Sequence, residues 1–129
     1  MYKNKKIFCI ILARKNSQGI KNKNLSKINK RPLIWYPINA AKKSKYIDKI
    51  YFNSDCKKMS KYASNFGATV EFIRPAYLGT SKTSSSEVII HHINKSNLHS
   101  KYTYFILLEP TSPLTNEKDI DNAIKKLIN

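Results

Sequence analysis

The segment Ala13-Arg14-Lys15-Asn16-Ser17-Gln18-Gly19-Ile20-Lys21-Asn22-Lys23-Asn24-Leu25 is polar and basic, and it follows directly on an apolar run. Ser17 and Gly19 permit a tight turn with exposed backbone N–H groups, while Arg14 and Lys23 bring fixed positive charge. Together these suit the oxygens of a triphosphate. The segment is not a Walker loop, since Gly-Lys-Ser/Thr is missing. Composition alone equally allows a solvated basic loop. Further along, Arg74 precedes the turn-forming Pro75, and Glu109-Pro110-Thr111-Ser112-Pro113 places two prolines that fix a rigid loop.

Other candidates carry less. Asp55 has the type and position of a helix cap. His91 and His92 are adjacent, so on a helix they point about 100 degrees apart and cannot share a metal as an i, i+4 pair does. Cys9 and Cys56 lack paired or metal-ligand spacing, which leaves them as free thiols.

The elements that must position these groups alternate between β-branched apolar runs and segments of helical period. That alternation implies an α/β fold with a mainly parallel central sheet flanked by helices. Strands are expected at 7–13, 49–53, 69–73 and 104–108. In such sheets ligands sit beyond the carboxyl ends of the strands, where both loops described above would lie. A first helix is expected to begin at Pro32, with Pro37 an awkward interior residue. A second would be capped by Asp55, turn Met59, Tyr62, Ala63 and Phe66 inward, and stop at Gly67. A third begins at Ser84 or Ser85 and carries Val88, Ile89, His92 and Ile93. The last is preceded by Thr115 or Asn116, with Glu117 and Asp119 in its first turn and Ile120, Ala123, Ile124 and Leu127 on its apolar stripe.

With 129 residues, 41% hydrophobic and 25% charged, the chain has the size and mixture of one globular domain, taken as 1–129, whose sheet looks unfinished. No stretch approaches the apolar length of a membrane span. The basic start resembles a signal-peptide n-region, but Arg14-Lys15-Asn16 cuts the apolar run, which therefore reads as a first strand of a cytoplasmic protein. The formal charge of +16 favours polyanionic partners. Its lysines are spread from Lys3 to Lys126 rather than gathered in one block, so nucleic acid is the weaker choice of partner.

The loop is similar to the Ala-Arg-x-x-Ser-Lys-Gly-x-x-x-Lys-Asn-Leu signature of acylneuraminate cytidylyltransferases and their relatives acting on legionaminic or pseudaminic acid. Further matches follow in order: Pro32-Leu33-Ile34, Asn53-Ser54-Asp55, Phe66-Gly67-Ala68, Arg74-Pro75-Ala76-Tyr77-Leu78, Ser84-Ser85 and Leu107-Leu108-Glu109-Pro110-Thr111-Ser112-Pro113-Leu114. The resemblance implies a Rossmann-like nucleotidyltransferase domain that transfers CMP from CTP to a nonulosonic acid and releases pyrophosphate. It implies Arg14 and Lys23 as catalytic holders of the triphosphate, Ser17, Gly19 and Asn24 along the nucleotide, Arg74 and Ser85 beside the cytosine, and Glu109, Thr111 and Ser112 toward the sugar. It also implies Mg2+ and a homodimer, with the metal ligands and the pairing segment lying outside these residues. Gln18 stands where the signature carries Lys, Glu109 where it carries Gln, Ser81 where relatives have Asp, and Thr115 where they commonly have Arg. A nucleotide-binding remnant without catalysis, or a basic nucleic-acid-binding domain, are the competing readings.

Overall fold

A computed structural model describes residues 1–17, 20–21, 23–110 and 115–128, with the backbone alone at 17, 20 and 21. In chain order its strands are β1 (Ile7–Leu12), β2 (Asn16–Ser17), β3 (Ile20–Lys21), β4 (Lys27–Ile28), β5 (Arg31–Pro32), β6 (Lys49–Asn53) and β7 (Tyr104–Leu108). Its α-helices are α1 (Trp35–Lys43), α2 (Lys57–Asn65), α3 (Ser85–Ser96) and α4 (Glu117–Ile128).

The main sheet has the order β6-β1-β7, with both neighbours parallel to β1. A central parallel strand is covered on both faces, and every residue of β1 is buried. The period of two then divides its side chains. Cys9 and Ile11 meet Ile34 and Ile38 beside α1 and Met59 and Ala63 of α2. Phe8, Ile10 and Leu12 meet Val88 and Ile89 of α3 on the other face. Fully buried residues such as Phe52, Ile10 and Ile11 each contribute about 1.5–3 kcal/mol by leaving water. Helix α4 packs beside α1, where Ile120 and Ile124 join Ile7 and Ala40.

Four local expectations are corrected. The strand at 69–73 reduces to a single parallel bridge, in which Phe52 N donates to Thr69 O at 2.9 Å and Thr69 N to Ile50 O at 2.8 Å. Beyond it the chain turns away because α3 engages its side chains: the Phe72 ring lies 4.7 Å from His92 and 5.5 Å from His91. Pro32 does not start α1. It pairs with Lys27 in the β4–β5 hairpin, and the helix begins at Trp35, so Pro37 falls in the first turn, where its missing N–H costs nothing. Asp55 does not cap α2, whose N-cap is Cys56 with no side-chain cap bond. Finally, Tyr62 on α2 and Leu127 on α4 are exposed rather than inward-facing.

Several ends follow the sequence signals. Ser84 Oγ accepts from Glu87 N at 3.1 Å, closing a capping box at α3. Asn116 Oδ1 accepts from Asp119 N at 3.0 Å at the start of α4, and Asp119 Oδ2 accepts from Asn116 N. Past the end of α2, Gly67 adopts φ +109, a left-handed turn that a side chain would strain. Ala68 N then bonds back to Ala63 O at 3.1 Å, and the chain returns to the sheet edge.

Candidate functional site

All three main strands end at the same edge, at Leu12, Asn53 and Leu108. Beyond them Arg14, Asn24, Arg74, Ser85 and Glu109 line one cleft of about 240 Å³, with Leu12, Val88 and Pro110 as its apolar contribution. The elements that bring these residues together are the loop after β1, the turn after Thr69, the first turn of α3 and the residues after β7.

The loop after β1 folds back on itself. Asn24, 4% exposed within a 3-10 turn at Lys23–Leu25, donates through Nδ2 to Arg14 O at 3.0 Å. Its own carbonyl accepts from Ile34 N at 3.3 Å, which ties the turn to the entry of α1. A second tie crosses the sheet edge, since Lys15 N donates to Asp55 Oδ1 at 2.8 Å. This is the role Asp55 takes instead of capping. Gly79 packs so closely on that carboxylate that an added Cβ would lie 2.5 Å from its Oδ2, so the absence of a side chain there keeps Asp55 in place.

Arg74 is 3% exposed, unlike a surface residue before a turn. Its Nε donates to Asn53 Oδ1, its Nη2 to Asn53 O at 2.9 Å, and its Nη1 reaches Leu78 O at 3.5 Å. Burial lowers its pKa to about 10, Asp55 acting against that and Arg14 with it. It stays charged at neutral pH and shares the cleft with Arg14, so two cations face one opening. Ser85 Oγ donates to Glu109 Oε1 at 3.4 Å, and the α3 N-terminus adds its partial positive charge on the same side. Glu109 is the one carboxylate in the wall among the described residues.

The cytidylyltransferase family model matches residues 8–129. The chain belongs to this family. Within it, the chain is 37% identical over 120 residues to an N-acylneuraminate cytidylyltransferase of Escherichia coli, covering 93% of this chain and 28% of that protein. It is 36% identical over 103 residues to a CMP-N,N'-diacetyllegionaminic acid synthase of Campylobacter jejuni, covering 80% and 44%. A solved CMP:2-keto-3-deoxy-manno-octonic acid synthetase complexed with CTP superposes with a TM-score of 0.79 at 16% identity, over 95% of this chain and 47% of that one. The chain therefore spans about half, or less, of the length of each. These likenesses agree with the expected Rossmann-like α/β fold.

For this cytidylyltransferase chain, the residues proposed from sequence separate into three groups. Arg14, Asn24, Arg74, Ser85 and Glu109 come together in the cleft. Lys23 opens the 3-10 turn beside Asn24 without lining the cleft itself. Gly19, Thr111 and Ser112 lie outside the described residues, as does the side chain of Ser17, whose backbone pairs with Ile20. Sequence reasoning placed Asn53 in a matched motif, His92 on the third helix and Ser84 at that helix's start, but gave none of them, nor Thr83, a role at the site. There Thr83 and Ser84 line the wall, and Asn53 and His92 support Arg74 from within the core. The available signal was a polar asparagine closing the strand Lys49–Asn53 directly after the run Ile50-Tyr51-Phe52.

Proposed function

We propose that the cleft at the strand ends takes CTP, and that the chain is the nucleotide-holding part of an enzyme that transfers CMP to a nonulosonic acid. The convergence of Arg14, Asn24, Arg74, Ser85 and Glu109 on one opening carries this reading. In the reaction the anomeric hydroxyl of the sugar acid attacks the α-phosphorus. A new O–P bond forms as the bond to the departing pyrophosphate breaks, and catalysis depends mainly on alignment and on stabilising negative charge.

Arg14 and Lys23 are assigned to the triphosphate, Lys23 from just outside the wall. Asn24 holds the loop's shape through the Arg14 carbonyl, and the backbone around Ser17 and Gly19 is assigned to phosphate oxygens. Arg74 and Ser85 are assigned to the pyrimidine, where fixed donors and acceptors distinguish cytosine from a purine. Glu109, with Thr111 and Ser112, is assigned to the sugar side, where a carboxylate can accept from hydroxyl groups.

Magnesium ordinarily accompanies a triphosphate substrate and offsets its charge. The described residues hold no group of three or more His, Cys, Asp or Glu able to bind a metal, and Glu109 stands as the cleft's single carboxylate, so these residues do not fit a complete Mg2+ site. We assign its ligands, and the surface that pairs two subunits, to sequence beyond these 129 residues. A cytoplasmic setting fits the use of CTP, and among the described residues no helix is long and apolar enough to cross a membrane.

Titration calorimetry with CTP, ATP and a short oligonucleotide at two salt concentrations tests the assignment. CTP should bind more tightly than ATP. Equal affinity for both, or binding only of the oligonucleotide with a steep loss in salt, contradicts it.

A further inference from the structure

Asn53, the last residue of β6, is 1% exposed and stands between partners from two different elements. Its Oδ1 accepts from Arg74 Nε, and its Nδ2 lies 2.9 Å from His92 Nδ1. The first bond dictates the second. An amide whose oxygen is engaged by an arginine donor must present its NH₂ to the imidazole, so Nδ1 of His92 accepts and the ring proton resides on Nε2. That nitrogen lies 3.5 Å from Glu71 Oε1. His92, Asn53 and Arg74 thus form one directed chain of hydrogen bonds that ends in the wall of the cleft, with the Glu71 carboxylate near His92 Nε2 but outside hydrogen-bond geometry.

Each link has a defined consequence for the next. If Nδ1 of His92 is removed, the buried Asn53 NH₂ loses the acceptor it has among the described residues. A full flip is barred, since it would set NH₂ against the Arg74 Nε–H, so the amide must tilt toward another partner or water. Tilting loosens its hold on Arg74, which can then turn or draw in water. His92 is 1% exposed and packs against the rings of Tyr51 and Phe72, so its own position is set by the core rather than by the cleft.

We propose that His92 and Asn53 are positioning residues that fix the guanidinium of Arg74 in the cleft wall, and through it the fit of the nucleotide. The nucleotide part rests on the CTP reading above, whereas the orientation of Arg74 does not.

The experiment uses the full chain and follows two quantities, the hydrogen exchange of the Arg74 Nε–H in ¹⁵N spectra and the affinity for CTP. In the unaltered chain the Nε–H signal should be sharp and protected. His92→Phe keeps a ring of similar shape without an acceptor. It should broaden or abolish that signal and weaken CTP binding about 10-fold, as loss of a hydrogen bond to a charged group does. His92→Gln, whose side-chain oxygen can accept from Asn53, should restore both. A protected Arg74 signal in His92→Phe, or a failure of His92→Gln to restore it, overturns the proposal. If His92→Phe does not fold, Asn53→Asp decides: a carboxylate still accepts from Arg74, so the signal persists while His92 gains a proton at Nδ1, and loss of the signal counts against the relay. Should the unaltered chain bind no CTP while the Arg74 signal follows residue 92 as stated, the positioning holds and the nucleotide reading falls.

Discussion

The two sides of the cleft are built on different physical terms. Arg14 stands on a loop held by few ties, the Asn24 bond to its carbonyl and the Lys15 bond to Asp55, with its side chain half-buried. Arg74 is 3% exposed and hydrogen-bonded to two backbone carbonyls and to Asn53. One side can adjust to flexible phosphates. The other presents fixed donors, which is what discrimination between bases requires. The same chemical group, a guanidinium, therefore contributes charge on one side and shape on the other.

Replacing Arg74 should have the largest effect. Arg74→Met retains much of the volume but leaves Asn53 Oδ1 without its donor and takes one of two donors from the Asn53 carbonyl, which keeps its bond from Ala13 N. A loss of about 3 kcal/mol of folding stability is expected from urea unfolding. A loss below about 0.5 kcal/mol would erase the distinction between the two sides. Arg14→Ala should do the reverse, with stability within about 0.5 kcal/mol of the original and CTP binding weaker by about 1–3 kcal/mol in calorimetry. Lys23→Ala, at a residue outside the wall, should weaken binding by less than Arg14→Ala.

A smaller effect comes from pH. Burial lowers the pKa of His92 below the ordinary histidine value, with Glu71 acting against it, so the ring is neutral in the folded chain. The unfolded chain binds a proton near about pH 6.5. This contribution to stability is therefore complete above that value and is lost as pH falls toward the lower folded value. Urea midpoints for the unaltered chain should fall more steeply on acidification than those of His92→Gln. Parallel curves would show that His92 does not titrate differently on folding.

The same contrast governs what the sequence made legible. The loop side is local: Arg14 and Asn24 belong to one continuous segment whose types and place after a buried strand point to phosphate. The caps at Ser84 and Asn116 are likewise encoded within four residues. The Arg74 side is assembled from afar. Asn53 meets His92 across 39 positions and Arg74 across 21, and neither pairing leaves a periodic trace. Residues 69–73 carried a strand's pattern because most of their side chains are partly buried, Val70 on the α1–α2 side and Phe72 against α3, although only Thr69 pairs with the sheet. Periodicity reports burial, not the element that provides it.

The central claim is that one opening at the strand ends holds the nucleotide. An amide ¹H–¹⁵N shift map of the full chain titrated with CTP tests it most directly. The account predicts the largest changes at Arg14, Asn24, Arg74, Ser85 and Glu109, saturating with a single affinity. Changes centred instead on the basic face around Lys27, Arg31, Lys58 and Tyr62, with the strand-end residues unmoved, would contradict it.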